Sequence, residues 1–320
     1  MADLRSAGWC ATAPGGHPTQ WSDGFYPTIA TPQEAEEFVA ARAAEGMDHI
    51  KIVIEDNVGR PCPILSPELT NVLVREAHAR NLLAVAHVSK RQHAEQALDA
   101  GIDGLAHQFW DDPLTTDIAE RIAAAGTFVV MTFAVGRPIE TSTLATDPHL
   151  APYIAPTIRA RLAASTIEHA GTATGSTEPD DGLHKVQLLR DAGVPILAGT
   201  DSPGIGAIGP SLHLELDLLV RGGLTPTAAL TAATAQQFRM PDRGRIAPGC
   251  RADLILVTGD PTSDIHATRA ITHTWRGGHE FDRDTYRQTQ QANTTLTNQR
   301  DWFAANMPDI FTPGIPDILP

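Results

Sequence analysis

The sequence predicts an α/β fold of the (β/α)8 TIM-barrel type, incomplete on its N-terminal side and carrying a small C-terminal β appendage. Three observations support that expectation. Five short apolar segments alternate with helical ones, the pattern of parallel βα units. Lys51, His87, His107 and Asp201 fall within or at the C-terminal ends of four of those segments, where barrel enzymes place their chemistry. No predicted strand runs directly into GxGxxG and no GxxxxGK[ST] occurs, so the nucleotide-binding doubly wound folds lack their marker.

The elements follow in order. Thr31-Pro32-Gln33-Glu34 reads as an N-cap, a proline at N1 and a capping-box glutamate, opening a helix that runs to Gly46 at its C′ position. HIKIVI (49–54) is a β-branched strand. Ser66-Pro67-Glu68 opens a second helix, with Leu69, Val72, Leu73 and Ala77 on one face. LLAVAH (82–87) is a strand, AEQALDAG (94–101) a helix, IDGLAH (102–107) a strand, TTDIAERIAAAG (115–126) a helix and TFVVMTF (127–133) a strand. Residues 138–193 are mostly helical, VPILAGT (194–200) is the fifth strand, and helices follow at about 211–222 and 226–237. AGWCAT (7–12) is a strand fragment ahead of the series. Beyond residue 243 the texture changes to short strands with Gly and Pro turns, and the tail 286–320 is polar and then proline-rich.

Composition bounds the function. The chain has 320 residues, 42% of them hydrophobic, and 24 basic against 38 acidic residues give a formal charge of −14. Nucleic-acid binding and docking on anionic lipid both need a basic face, so neither is expected. No run of about 18 apolar residues is present and the first residues lack a secretory signal, which together predict a cytoplasmic protein with a small-molecule partner. Three scattered cysteines (Cys10, Cys62, Cys250) supply neither a disulfide framework nor a Cys-rich zinc site.

Taken as chemistry, two imidazoles and a carboxylate from three strand ends can converge on one divalent ion and leave a position for water. Lys51 is the odd member, because an inward lysine on an apolar strand must be paired, deprotonated or modified. A lysine that has taken up CO2 is a carbamate, an anionic metal ligand. Singly, each residue also has an ordinary structural role: His87 and His107 as core histidines, Asp201 as the first residue of a turn, Lys51 reaching to solvent. Their common placement in one βα series favours the shared site.

DHIKIVIEDN, the stretch from ILSPELTNVLVREAHARN through AVAHVSKRQHAEQALDAGIDGLAHQFWDD, VPILAGTDSP, SLHLELDLLVRGGLTPTAALTAATAQQ and GRIAPGCRADLILVTGDP together resemble the metal-dependent amidohydrolases. The nearest branch is the imidazolonepropionase-like one, which includes Xaa-Pro dipeptidase-type enzymes. The resemblance implies a distorted barrel over 1–242, a partial β-sandwich over 243–285 and a separate tail over 286–320. It implies Lys51 as a carboxylated ligand, His87 and His107 as ligands, and Asp201 as ligand and general base. His17 in APGGHP and His213 in SLHLE become substrate-pocket candidates, His213 having a helix cap as its plainer role. Arg137, in the loop after the 127–133 strand, is placed to meet a substrate carboxylate.

The sequence also departs from that family. The H-x-H that opens the family's barrel is absent. One βα unit of a barrel takes about 30 residues, so the first two units, roughly 60 residues, are expected to be missing, and residue 1 would sit just before the third strand. Such an open barrel exposes parallel strand edges, for which a second copy or a partner chain is the expected cover. The remaining set suits one divalent ion, Zn2+ by default, rather than two. The expected activity is hydrolysis of an amide, dipeptide-like or cyclic amide C–N bond in a small molecule, and the alternative is a non-catalytic or degenerate protein, or a fragment needing a partner chain, that binds a ligand without turnover.

Overall fold

A computed structural model describes residues 4–21, 25–57, 61–164, 182–202, 206–234 and 240–293. Helix α1 (Pro32–Ala44) starts as its sequence dictates: Thr31 accepts the Glu34 N–H, and the Glu34 carboxylate reaches back to the Thr31 N–H. It ends at Gly46, whose φ of +76° is the left-handed backbone that glycine adopts without strain. Strand β1 (His49–Ile54) leads to α2 (Pro67–Ala79), capped by Ser66, and then to β2 (Leu83–Val88). Leu69, Val72, Leu73 and Ala77 are all buried, as the helical period predicts. Helix α3 (Arg91–Asp99), β3 (Gly104–Ala106), α4 (Thr116–Ala124) and β4 (Phe128–Met131) complete the next two units.

The second half begins with a 3-10 turn over Phe133–Gly136 and the helices α5 (Pro138–Ser142), α6 (Pro156–Ala164) and α7 (His184–Asp191). Strand β5 (Ile196–Ala198), α8 (Pro210–Arg221) and α9 (Pro226–Ala232) follow. The texture change at 243 corresponds to an antiparallel sheet of β6 (Leu254–Val257), β7 (Ile271–Arg276) and β8 (His279–Glu280), followed by α10 (Arg283–Ala292). The rest of the proline-rich tail, 294–320, lies outside the described residues, as do 235–237 of the helix expected there.

Strands β1 to β5 form one sheet in sequence order. The ladders β1–β2, β2–β3 and β3–β4 are parallel, and a closed barrel is not found among the described residues. The fragment expected at 7–12 contributes a single parallel bridge. Ala11 donates its N–H to the Lys51 carbonyl at 2.7 Å and accepts the Val53 N–H at 2.9 Å, on the side of β1 away from β2.

The described residues divide into two compact units, one up to Val130 and one from Met131, the boundary falling inside β4. In the first, Ile50, Ile52, Ile54, Leu73, Ile102 and Ile122 form the buried apolar layer. In the second, Phe133, Leu144, Leu162, Val186, Leu218 and Leu219 do so.

Several elements are shorter or shifted against the sequence expectation. The 127–133 strand stops at Met131, because Thr132 (φ −139°, ψ 50°) leaves the extended region and the next residues coil into the 3-10 turn. The 94–101 helix starts earlier, at Arg91, and the helix expected at 211–222 starts at Pro210. The three cysteines form no disulfide. No helix of the described residues is long and apolar enough to cross a membrane.

Candidate functional site

In the first unit the strand register brings the candidate residues to one face. Val53 lies beside His87 and His87 beside Ala106, while Lys51 lies beside Val85 and Val85 beside Gly104. Neighbours across a parallel ladder project to the same side, and residues two apart on a strand share a face. Lys51 and His87 therefore occupy the same face in successive rows.

His107 follows Ala106, so a regular strand would point it to the opposite face. Instead its φ is +71°, and the turned backbone sets its ring edge-on against His87, with centroids 4.7 Å apart. His17 approaches His87 from another direction, with centroids 5.5 Å apart, and its Nδ1 is 2.7 Å from Gln20 Nε2. The three rings form a continuous run.

The electrostatics keep the outer members of that run neutral. Burial pushes the His107 imidazole well below its usual range, and the neighbouring His87, Lys51 and His17 add to the effect. Burial and the His87 ring push His17 down to about 4, against the opposing influence of Glu55 and Gln20. Burial raises the Cys10 thiol while the Lys51 charge lowers it, which places Lys51 within electrostatic reach of both Cys10 and His107.

Glu55 is a site residue that the motif reading missed. Its side chain is 5% exposed, and Oε2 lies 3.3 Å from His87 Nε2. Burial works against its charge, yet hydrogen bonds from His87, Ser89 and the Asn57 N–H hold the carboxyl down to about 2. The available signal was period two: Glu55 lies four residues after Lys51, just past the C-terminal end of β1. Beside it, Asp56 pairs with Lys90 Nζ at 2.7 Å and lies 3.6 Å from the buried His93.

The second unit holds the other three candidates. Asp201 follows β5, is exposed, and adopts a φ of +48°. Of the three non-glycine residues with positive φ among the described residues, Asn81 ends a helix, whereas His107 and Asp201 stand just past strands. Backbone in that region is costly for a residue with a Cβ and concentrates at functional sites. Arg137 is buried, pairs with Glu140 at 2.9 Å and lies over the Phe133 ring.

His213 is not a cap, since α8 is capped at Gly209; its Nδ1 is 3.0 Å from Thr268 Oγ1, and burial takes its imidazole down to about 4. Two residues further on, Glu215 is fully buried and accepts the Ala134 N–H at 2.9 Å. Complete burial pushes its carboxyl up to about 8, although the Ala134 and Phe133 N–H groups and Arg137 pull the other way.

A metal ligand must be deprotonated, and neutral imidazole is a usual ligand for Zn2+. Half-buried, uncharged His17 and His107 flanking His87 meet that requirement, so the donor chemistry fits a divalent ion. Among the described residues no group of three His, Cys, Asp or Glu side chains is placed to hold a metal ion.

The sequence matches the model of the Amidohydrolase family over residues 5–281. It is 31% identical over 237 residues to the ochratoxinase of Aspergillus niger, a match covering 68% of this chain and 41% of that protein. It is 33% identical over 124 residues to the imidazolonepropionase of Streptomyces griseus, covering 36% of this chain and 30% of that one. The match thus spans less than half the length of either of these two relatives. Among solved structures, A. niger ochratoxinase aligns over 88% of this chain and 66% of its own, with 26% identity and a TM-score of 0.64. A Xaa-Pro dipeptidase with methionine bound in its active site aligns over 88% and 69%, with 22% identity and a TM-score of 0.65. Together with the five-stranded parallel sheet, these alignments identify an α/β, TIM-barrel-like fold.

Proposed function

The chain belongs to the amidohydrolase family, and from that premise we propose that it hydrolyses C–N bonds of small amides, dipeptide-like or cyclic amides, with one divalent ion, Zn2+ by default. The observation that carries this reading is the run of His17, His87 and His107 rings on the face that also bears Lys51. A divalent ion, when bound, supplies acidity to water and polarises a carbonyl.

His87, His107 and Asp201, with Lys51 as its carbamate, are the residues assigned to hold the ion. Asp201 takes the proton from the attacking water as the C–O bond forms, and delivers it to the leaving nitrogen as the C–N bond breaks. His17 and His213 contact the substrate, and Arg137 meets a substrate carboxylate through its guanidinium. In this reading residues 1–242 are the barrel portion, 243–285 half of a β-sandwich and 286–320 an arm. The protein acts in the cytoplasm, and a second copy or a partner chain covers the free strand edge.

The second reading is a ligand-binding protein without turnover. Elemental mass spectrometry on protein purified without a chelating tag separates the two, run beside His87→Ala and Asp201→Ala and followed by a panel of N-acyl amino acids, dipeptides and cyclic amides. About one ion per chain, lost in His87→Ala, with amide cleavage lost in Asp201→Ala, is expected. A folded, metal-free protein that cleaves nothing on the panel would establish the binding reading instead.

A further inference from the structure

We infer that Glu55 is a positioning residue for His87: its carboxylate accepts the proton carried on His87 Nε2 and so presents Nδ1, with its lone pair, to whatever the site binds. For the identity of that ligand as a divalent ion the inference rests on the function proposed above; the tautomer does not depend on it.

A neutral imidazole has one N–H and one lone pair, and the hydrogen bond made at one nitrogen decides what the other offers. A carboxylate only accepts, so the 3.3 Å approach of Glu55 Oε2 to His87 Nε2 requires the proton on Nε2.

Glu55 is itself held in place. Its Oε1 accepts the Asn57 N–H at 2.9 Å, and the Ser89 hydroxyl donates to the same carboxylate. The backbone around it is tied as well: the Cys62 thiol lies 3.2 Å from the Glu55 carbonyl oxygen, the Cys62 N–H donates to the Asp56 carbonyl at 2.8 Å, and Asn57 bridges to Pro61.

On its other sides the His87 ring is confined by His107 and His17. A ring so confined, with one nitrogen committed to a fixed acceptor, points the other in one direction. Partners of this kind orient metal-binding histidines, and their loss costs about 10–100-fold in metal affinity.

The test uses the full chain, 15N-labelled, as wild type, Glu55→Gln and Glu55→Leu. Long-range proton–nitrogen spectra without added metal report the His87 tautomer, and competition with a chromophoric chelator reports zinc affinity. Wild type is expected to carry the proton on Nε2. Glu55→Gln, whose amide oxygen still accepts, should keep that tautomer and hold zinc nearly as tightly. Glu55→Leu should lose the tautomer preference and bind zinc about 10–100-fold more weakly.

A proton on Nδ1 in wild type, or an unchanged tautomer in folded Glu55→Leu, overturns the assignment. If Glu55→Leu does not fold, Glu55→Asp, which withdraws the carboxylate by one methylene, asks the same question with the same outcomes. A wild-type protein that binds no zinc would defeat the metal-dependent hydrolase reading, while the tautomer spectra still decide the role of Glu55.

Discussion

His107 stacks edge-on against His87 at 4.7 Å, although the two would face opposite sides of the sheet if β3 simply continued. The reversal comes from one torsion, the φ of +71° at His107. Asparagine tolerates that backbone and β-branched residues do not. His107→Val should therefore be less stable than His107→Asn by about 1–3 kcal/mol, measured by urea denaturation without metal. Equal stabilities would show that the turned backbone is not what constrains the site.

Glu215 predicts a pH dependence of known sign. Its carboxyl, with an ordinary value of 4.5, is pushed up to about 8 in the fold, first by burial. Between those values the folded chain keeps a proton that the unfolded chain releases, so this group lowers stability as pH rises from about 4.5 to about 8. Glu215→Gln keeps an acceptor for the Ala134 N–H and cannot ionise. Its stability relative to wild type should rise between pH 5 and pH 8.5, by about 2 kcal/mol or more at the upper end. A difference that stays constant across that range would refute the assignment of a neutral, buried acid.

Gly104 sits beside Phe128 in the parallel ladder and in the same row as Lys51. A methyl group there would lie 2.2 Å from Phe128 Cε2 and 2.3 Å from Cζ, and the ring is buried. Gly104→Ala should cost about 1–3 kcal/mol through overpacking. Adding Phe128→Leu should return part of that loss, a coupling readable in a double-mutant cycle. Additive effects would place the strain elsewhere.

In the second unit Asp147 receives the His149 and Leu150 N–H groups through one oxygen and Arg269 Nη1, at 3.0 Å, through the other. Burial opposes its charge, but these donors hold the carboxyl below its ordinary range. Its stabilisation is present above that ordinary range and is lost as pH falls through the lowered value. Asp147→Asn should cost about 2 kcal/mol at pH 7. The cost should shrink in strongly acidic solution, and a penalty equal at both pH values would rule out the charge as its origin.

The sequence by itself determined the order of strands and helices, because caps and apolar periods are local. Thr31 with Glu34, Ser66 with Leu69, and the buried face of α2 all act within a few residues. It also determined that Lys51 and His87 stand within strands and His107 just past one, and the family follows from motifs spread along most of the chain.

Only the tertiary structure decided what those residues face. Glu55 meets His87 across 32 residues, and His213 meets Thr268 across 55. Arg137 is buried against Phe133 and Glu140 although the sequence shows it in a loop. Alternation along a strand assigns a side chain to a face only while the backbone stays extended. At His107 and Asp201 it does not, and a positive φ outside glycine persists only where surrounding packing and hydrogen bonds outweigh its cost. That balance is set by residues distant in the chain, which is why the direction of a strand-end side chain belongs to the fold and not to its own segment.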